Sequence, residues 1–533
     1  MRPHLALLVV FSFVGSACLG GGDQADPPVL RVASPQRSLI QDHTGPLVVT
    51  GTVAPNPTGA AVANVVVNDT RATINADGTF TATIDVPAGA TLIHTVATDA
   101  AGGIATDTRS VLAGEHRAPG SSIKNAIAAS ISAPAFTQIG NAAAKLIKSA
   151  DLTALIAPMN PVVHAGDEAT LQCLYGQAFV DRITIADAKI TLAPVAGGLQ
   201  LSATFDHPVI MGHMRYAVAC AGGQSNFEIK ATSASLSGVL TLSINGANGL
   251  TSQLLNPNVQ LPGLDISATG IPGTVLGLVP LEKVIQFVVP TAARLFVTPL
   301  LNKAIGTLTG PQKLPVLGQT LDLQVTPSAI AFDPSGGDVM LDMKLLIEGA
   351  EHSPGFIFTP NGAPALDAGR GLALGIADDL ANDALAQLAA KGLLNLQVPG
   401  TSARVTITSP PMISADPKDG KLRLVLPDMM VMLGGKGRIA VNAEIALAIQ
   451  PADGGSSLAI ELGTPAIAID SLDDVPVANS GLAPAIHATT ADQRGSIKDL
   501  LKNIPLPKVG GLTLTDTSVT GGSGYVLVKT TLK

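Results

Sequence analysis

Phe179 to Leu201 reads FVDRITIADAKITLAPVAGGLQL. Apolar and polar residues alternate through it, the period at which successive side chains face opposite sides of a strand. Ile183, Ile185, Ile190 and Leu192 form one arm of a hairpin. Gly197-Gly198 turns the chain, and Leu199, Leu201, Ala203 and Phe205 form the next arm. The pattern continues through Phe227, Ile229 and Ala231, then Leu236, Leu240, Leu242 and Ile244, with Gly222-Gly223 in a turn between arms. This predicts an antiparallel meander with one apolar face, which must be covered by another layer.

Two helical segments flank the meander and could supply that layer. Upstream, Ser122 to Ile156 is Ala-rich, with Ile123, Ile127, Ile131, Ile139, Leu146 and Ile147 mostly at helical spacing. Ser121 or Ser122 is the expected N-cap, and Pro134 is expected to kink or divide the helix. Downstream, Leu281 to Leu308 predicts a helix carrying Val284 and Val288, interrupted by Pro290 and Pro299 and ended by Gly310-Pro311. The plan then repeats. Leu321, Leu323 and Val325 read as a strand, as does Val339 to Leu345. Asp378 to Lys391 predicts a helix with Leu380 and Leu388 on its apolar face and Gly392 past its end. Strands follow at Val405 and Ile407, at Leu422, Leu424 and Leu426, at Ile439 to Leu447, and at Leu458 to Leu462. A short helix from Ser496 to Ile504 precedes a last hairpin, Leu512 to Leu514 with Tyr525 to Val528.

Charged residues are 14% of the 533, against about 25% in an average globular protein. The net charge is −8, and aromatic residues are confined to 12 Phe and 3 Tyr. Such a chain is too apolar to be disordered, and too poor in basic and stacking groups to grip nucleic acid. Val284 to Leu301 holds Gln286, Pro290, Arg294 and Pro299, so it does not read as a membrane-spanning helix. Folding must therefore hide the apolar surplus. Sheets and helices faced with small aliphatic residues leave room for a dry tube, a site for acyl chains worth about 0.8 kcal/mol per buried methylene. The alternative is that the layers simply pack on each other. Ile127, Ile131, Ile185, Leu201, Phe205, Val284, Val288, Leu380, Leu388 and Leu424 are the predicted lining.

The amino terminus assigns a compartment. Arg2 and His4 precede an apolar run, Leu5 to Val14, and then Gly15-Ser16-Ala17-Cys18. A ten-residue run is too short to span a bilayer, so residues 1–17 read as a signal peptide. Cys18 after small residues resembles a bacterial lipobox, in which that Cys is acylated, and residues 18–27 then form a flexible tether. Leu19 after the Cys, in place of Asp, points to the outer membrane. Cys173 and Cys220 remain as a pair, either one disulfide in an oxidising compartment or two buried thiols.

Residues 28–113 read as all-β. Leu47-Val48-Val49, Val65-Val66-Val67 and Thr79 to Val86 are short β-branched runs separated by Asn56-Pro57, Asn75-Ala76-Asp77-Gly78 and Asp99 to Gly103. The Asp77-Gly78-Thr79-Phe80 hairpin and the Ala97-Thr98-Asp99-Ala100-Ala101-Gly102 segment resemble bacterial immunoglobulin-like domains, which implies a spacer or weak binding unit. Residues 114–122 read as a linker.

Residues 115–533 resemble the tubular lipid-binding superfamily, and within it the bactericidal/permeability-increasing and lipopolysaccharide-binding protein family. The segments carrying the likeness are Phe179 to Leu201, Val239 to Ile244 with the helix after Leu281, Leu372 to Leu396 (LALGIADDLANDALAQLAAKGLLNL), and Leu501 to Leu532 with its IPLP step. The resemblance implies an α+β fold of two tandem barrels in a boomerang, residues 123–315 and 316–533, each wrapping a sheet on long helices around an acyl pocket. It also implies one disulfide in the first barrel, where Cys173 and Cys220 fall. The basic tip with which animal members grip lipopolysaccharide has no counterpart, since the charges of residues 180–250 balance in sign.

Catalytic patterns are weak. Ser121-Ser122-Ile123-Lys124 fits Ser-x-x-Lys without its companion elements and reads as a helix start. His207 and His213 lack metal-ligand spacing. Asp470, Asp473 and Asp474 read as a solvated turn, and Leu433 to Arg438 as a hairpin tip whose two cations could meet lipid headgroups. The expectation is a non-catalytic, cofactor-free and metal-free lipoprotein of the bacterial envelope that binds or transfers phospholipid or another acyl lipid. Nucleic acid is excluded as a partner. The alternative is a surface scaffold or adhesion protein with packed barrels, binding a protein partner through its immunoglobulin-like domain.

Overall fold

The computed structural model describes residues 26–166, 174–245, 249–268, 270–271, 275, 279–288, 290–291, 310–316, 319–359, 364, 366–367, 369, 371–397, 403–415, 421–433, 437–452, 457–473, 504–505, 514–522 and 524–532. Cys18, Cys173, the expected helix at 496–503, most of the expected helix beyond 291, and Asp474 lie outside them.

The first body is a sandwich of two sheets. One has the order Val29–Ser34, Gly45–Ala54, Thr79–Val86, Thr73–Ile74. The other runs Leu39–Gln41, Ile104–Ala113, Gly89–Asp99, Val62–Val67, Thr70–Arg71. Thr79–Val86 alternates strictly between buried and outward residues, and Phe80, Ala82, Ile84 and Val86 enter the core with Val49, Val65, Ile93 and Val111. Its hairpin forms because Gly78 takes φ +82° and Asp77 accepts from the Thr79 N–H at 3.0 Å.

The next segment departs from the helical expectation. Ile123–Ser132 is a strand, and only then does helix α1, Ala133–Ser149, begin. Ser132 caps α1 with its hydroxyl on the Ala135 N–H, and Pro134 occupies the first turn, where a missing N–H costs nothing. Pro134 therefore starts the helix and does not kink it, and neither Ser121 nor Ser122 is the cap. The strand forms because it is flanked on both sides, by Gly336–Ile347 and by Gly371–Ala377. Without it two rows of backbone donors and acceptors would be unpaired. A short helix α2, Leu152–Ile156, follows α1.

The meander is divided between two sheets. Val163–Gly166, Tyr175–Thr184, Val209–Val218, Ala221–Lys230 and Asp265–Ala268 form one. Asp187–Val195, Gly198–Asp206, Ser233–Asn245 and Gly249–Gln260 form the other. The first predicted arm is thus two strands: Ile183 ends one, Ile185 sits in the corner, and Ile190 and Leu192 belong to the next. The corner is held by the Ala186 N–H on the Asp206 carbonyl at 2.9 Å. Residues 282–288 and 290–291 are helical.

A central seven-stranded sheet runs Gly310–Val316, Gln319–Asp333, Gly336–Ile347, Ile123–Ser132, Gly371–Ala377, Tyr525–Leu532, Leu514–Gly522. Gly310-Pro311, expected to end a helix, pairs instead with Gln324 and Val325. The boundary expected at 315/316 falls inside this hairpin, so the two halves share a sheet. A further sheet runs Leu396–Gln397, Ala403–Thr406, Leu422–Leu433, Arg438–Ala452, Ser457–Leu462, Ile504–Pro505, with Met412–Ala415 and Ala466–Ser471 paired to its long strands. Helix α3, Asp378–Ala390, lies against Gly336–Ile347 and Met412–Ala415. Gly392, at φ +68°, follows its end. Among the described residues no helix is long and apolar enough to cross a membrane.

Candidate functional site

The apolar interior of residues 131–288 collects most of the predicted lining. Ile131, Leu201, Phe205, Val284 and Val288 are all buried in one cluster with Phe136, Ile139 and Ile147 of α1, and Ile185 packs against it from the corner. Strand pairing explains the convergence: Leu201 faces Leu192, and Ala203 faces Ile190 and Leu236, so one pleat face is continuous across three strands. Helix α1 lies on that face. A Cβ on Gly140 would stand 2.7 Å from the Ile190 carbonyl oxygen, so only glycine allows the helix this close.

The other predicted residues do not join them. Ile127 packs partly against a separate cluster of Ile123, Val325, Met343 and Tyr525, as does Leu380. Leu388 belongs to a third cluster with Leu321, Leu345 and Ile347. Leu424 is half-buried on Leu422–Leu433, facing Ile413 and Ile445. Leu380, Leu388 and Leu424 therefore lie in three different surroundings.

The reason lies in α3, whose buried face is polar. Asp378, Asp379, Asn382, Asp383 and Gln387 are buried together with Ala386 and Leu388. Their side chains satisfy backbone groups at strand ends. Gln387 accepts from the Ile347 N–H at 2.7 Å and donates to the Leu345 carbonyl at 3.0 Å. Asn382 makes the same double contact with Ile413, at 2.7 and 2.9 Å. Asp379 accepts from the Thr359 N–H and hydroxyl, both at 3.0 Å. Burial, with help from the Asp379 charge, pushes the Asp378 carboxyl up to about 8. Burial likewise pushes Asp383 to about 7, against hydrogen bonds from Gln387 and the Gly120 N–H. Burial and the charges of Asp379 and Asp378 push the Tyr525 hydroxyl up to about 12, while it donates to the Asn125 carbonyl at 3.0 Å. The signal was present in DDLANDALAQ, where Asp378, Asp379, Asn382, Asp383 and Gln387 share one helical face.

The two halves thus differ in kind. Among the described residues, every buried polar or charged side chain lies at Ser132 or before, or at Asp342 or beyond. Among the described residues of 133–341 only apolar residues and glycine are buried as a whole, and the buried polar side-chain atoms without a hydrogen-bond partner are His213 Nε2 and Asp322 Oδ1.

The remaining candidates are structural. Lys124 pairs with Asp342 at 2.9 Å at the start of a strand. His213 pairs with Asp181 at 2.8 Å and stacks on Phe179, while His207 takes φ +45° in a turn. Arg438 pairs with Asp473, and Asp470 is buried at 6% exposure, which corrects the solvated-turn expectation. Among the described residues no group of His, Cys, Asp or Glu is arranged to hold a metal ion. A cleft of about 390 Å³ beside the central sheet is lined by Ser130, Ser132, Asp333, Ser335, Asp338 and Asp367, a polar surface unlike an acyl site.

Comparison with known proteins gives two kinds of likeness. Residues 28–114 match the family model of glucodextranase domain B. Among solved structures, the chain is similar to lipopolysaccharide binding protein, at 15% identity over 78% of this chain and 99% of that one, with a TM-score of 0.41. It is also similar to P47 of Clostridium botulinum E1, at 10% identity over 76% and 98% of the two chains and a TM-score of 0.24. For P47 of Clostridium botulinum A2 the identity is 8% over 76% and 96%, with a TM-score of 0.23. No curated protein matches.

Proposed function

We propose that this protein is a non-catalytic lipid-binding or lipid-transfer lipoprotein of the bacterial envelope, which takes acyl chains of a phospholipid-like ligand into the interior of residues 131–288. One observation carries this reading. Among the described residues of 133–341 no polar or charged residue is buried as a whole, and the cluster around Leu201 and Phe205 is entirely apolar, so its interior offers an acyl chain a solvent of its own kind. Isoleucine, leucine, valine and alanine dominate the cluster, with Phe136, Phe205 and Phe227 as its buried aromatic residues. The polar face of α3 argues against an equivalent second pocket, so the expected stoichiometry is one acyl lipid per chain. The two-barrel boomerang, acylation of Cys18, the outer-membrane location and a Cys173–Cys220 disulfide belong to the same proposal.

A specific observation favours a second reading, a packed scaffold or adhesion protein. Gly140 brings α1 against the Ile190 backbone, and a Cβ on Gly176 would stand 2.8 Å from the Val279 side chain. The interior is thus tightly closed at two places. The test is to purify residues 24–533 without detergent, extract them, and identify bound lipid by mass spectrometry. Bound acyl lipid near one per chain supports the first reading. A folded, lipid-free protein that also fails to take up fluorescent phospholipid from vesicles overturns it in favour of the second.

A further inference from the structure

The sandwich does not hang from the rest of the chain. Glu115–Arg117, expected in a linker, is a strand paired with Phe356–Phe358, and the Arg117 guanidinium covers the Phe358 ring at 3.4 Å. Leu112 of the sandwich is fully buried against Ile357 and Met412. Beside this apolar seam stands a polar cluster built from both bodies. Arg37 of the sandwich meets Asp107 of its own body at 3.0 Å, and Asp428 and Asp470 of the C-terminal sheet at 3.0 and 3.4 Å. Asp428 also accepts from the Ser38 N–H at 2.8 Å, the Ser110 N–H at 2.9 Å and the Ser110 hydroxyl at 2.7 Å. Asp470 accepts from the Thr108 N–H at 3.1 Å. Asn442 bridges the two, donating to the Thr108 carbonyl and to Asp428.

The geometry is built for this contact. Strand Ile104–Ala113 is covered on one side by Leu39–Gln41 only from Val111 onward. The N–H groups of Thr108 and Ser110 would otherwise be an open edge, and carboxylates of another body fill it. Asp428 reaches them from a bulge between Leu426 and Met429, at φ +39°, which aims its side chain out of the strand pattern.

We propose that the sandwich is held on the C-terminal sheet by a proton-controlled latch, in which Asp428 and Asp470 grip Arg37 and the Thr108–Ser110 edge, and loss of the Asp470 proton loosens the grip. The charge count supports it. Two guanidinium groups, Arg37 and Arg109, face three carboxylates, Asp107, Asp428 and Asp470. The cluster is balanced when Asp470 is protonated and carries one surplus buried negative charge when it is not. Donors from Ser110, Ser38 and Asn442 outweigh burial at Asp428 and hold it below the usual carboxylate range. Asp470 receives fewer, and burial together with the charges of Asp107 and Asp428 pushes it up to about 7 in spite of Arg37. Of the other titratable groups nearby, His94 reaches the site through the Thr108 hydroxyl at 2.8 Å, and Asp473 is occupied by Arg438. The inference is independent of lipid binding.

Hydrogen exchange on the mature full-length chain reads the latch directly, because the Thr108 and Ser110 amides are its contacts. With labelling times scaled to the intrinsic rate, protection over 104–113 should fall about tenfold or more between pH 5.5 and 8.5. Asp470→Asn should abolish that fall, and Asp470→Ser serves if the first variant folds poorly. Arg37→Gln should lower protection at both pH values. Protection over 79–86, inside the sandwich core, should stay unchanged throughout and so separates undocking from unfolding. Equal protection of 104–113 in the wild type at both pH values overturns the proposal. So does an undiminished fall in both Asp470 variants, or an Arg37→Gln protein as protected as the wild type.

Discussion

Replacing Asp383 by Asn should make the protein more stable at high pH and less stable at low pH. Asp383 is fully buried on α3. Its Oδ1 accepts from Gln387 Nε2 at 2.7 Å, while its Oδ2 has no partner. The carboxyl titrates at about 7 in the folded protein, against 3.8 as its ordinary value. The folded state therefore holds the proton more tightly than the unfolded state. That stabilisation is complete below about pH 4, falls as pH rises towards 7, and does not change further above it. The gap corresponds to about 4 kcal/mol, at about 1.4 kcal/mol per pH unit. Asn keeps the acceptor that Gln387 needs, and it cannot ionise. Its amide leaves one buried donor in place of the orphan oxygen, a cost of about 1–3 kcal/mol. The net gain at pH 8.5 is thus about 1–3 kcal/mol. The assay is urea unfolding followed by circular dichroism at half-unit steps from pH 5 to 9. The two stability curves should cross and then diverge in favour of Asp383→Asn. Parallel curves across that range would refute a buried, proton-holding carboxyl on α3.

Leu201→Asp, at a side chain 2% exposed, should abolish recovery of bound lipid, as read by extraction and mass spectrometry on protein whose circular dichroism is unchanged. Gly140→Val should push α1 off Asp187–Val195 and cost about 1–3 kcal/mol or more, seen as a lower urea midpoint. Deleting residues 26–113 strips Asp428 and Asp470 of Arg37, Thr108 and Ser110 and uncovers Ile357 and Met412. Hydrogen exchange should then show 422–445 losing protection. Cys18→Ser should release the protein from the membrane fraction and abolish incorporation of labelled fatty acid.

Several features that depend on local period were legible in the sequence alone. Alternation in Thr79–Val86 and Gly198–Asp206 specifies strands with one apolar face, because a slip of one residue would turn that face to water. The bounds of α3 were legible to within a residue, from helix formers closed by Gly392. Leu201 and Phe205 lie on the face that their alternation predicts, and Val284 and Val288 on the face that their helical spacing predicts.

Tertiary structure decided what depends on partners far along the chain. Ile123–Ser132 carries isoleucines at a spacing that suits a helix, yet it is a strand, because partners more than two hundred residues later supply backbone hydrogen bonds on both its sides. Helix α3 has an apolar and a polar face, and the local pattern cannot say which goes inward. The polar face does, since the ends of strands at Ile347, Thr359 and Ile413 present backbone groups that only side-chain amides and carboxylates reach. Asp428 and Asp470 read as ordinary polar positions until the sandwich edge at Thr108–Ser110 is laid against them. A carboxylate's surroundings are set by what folds over it, and here they come from residues more than three hundred positions away.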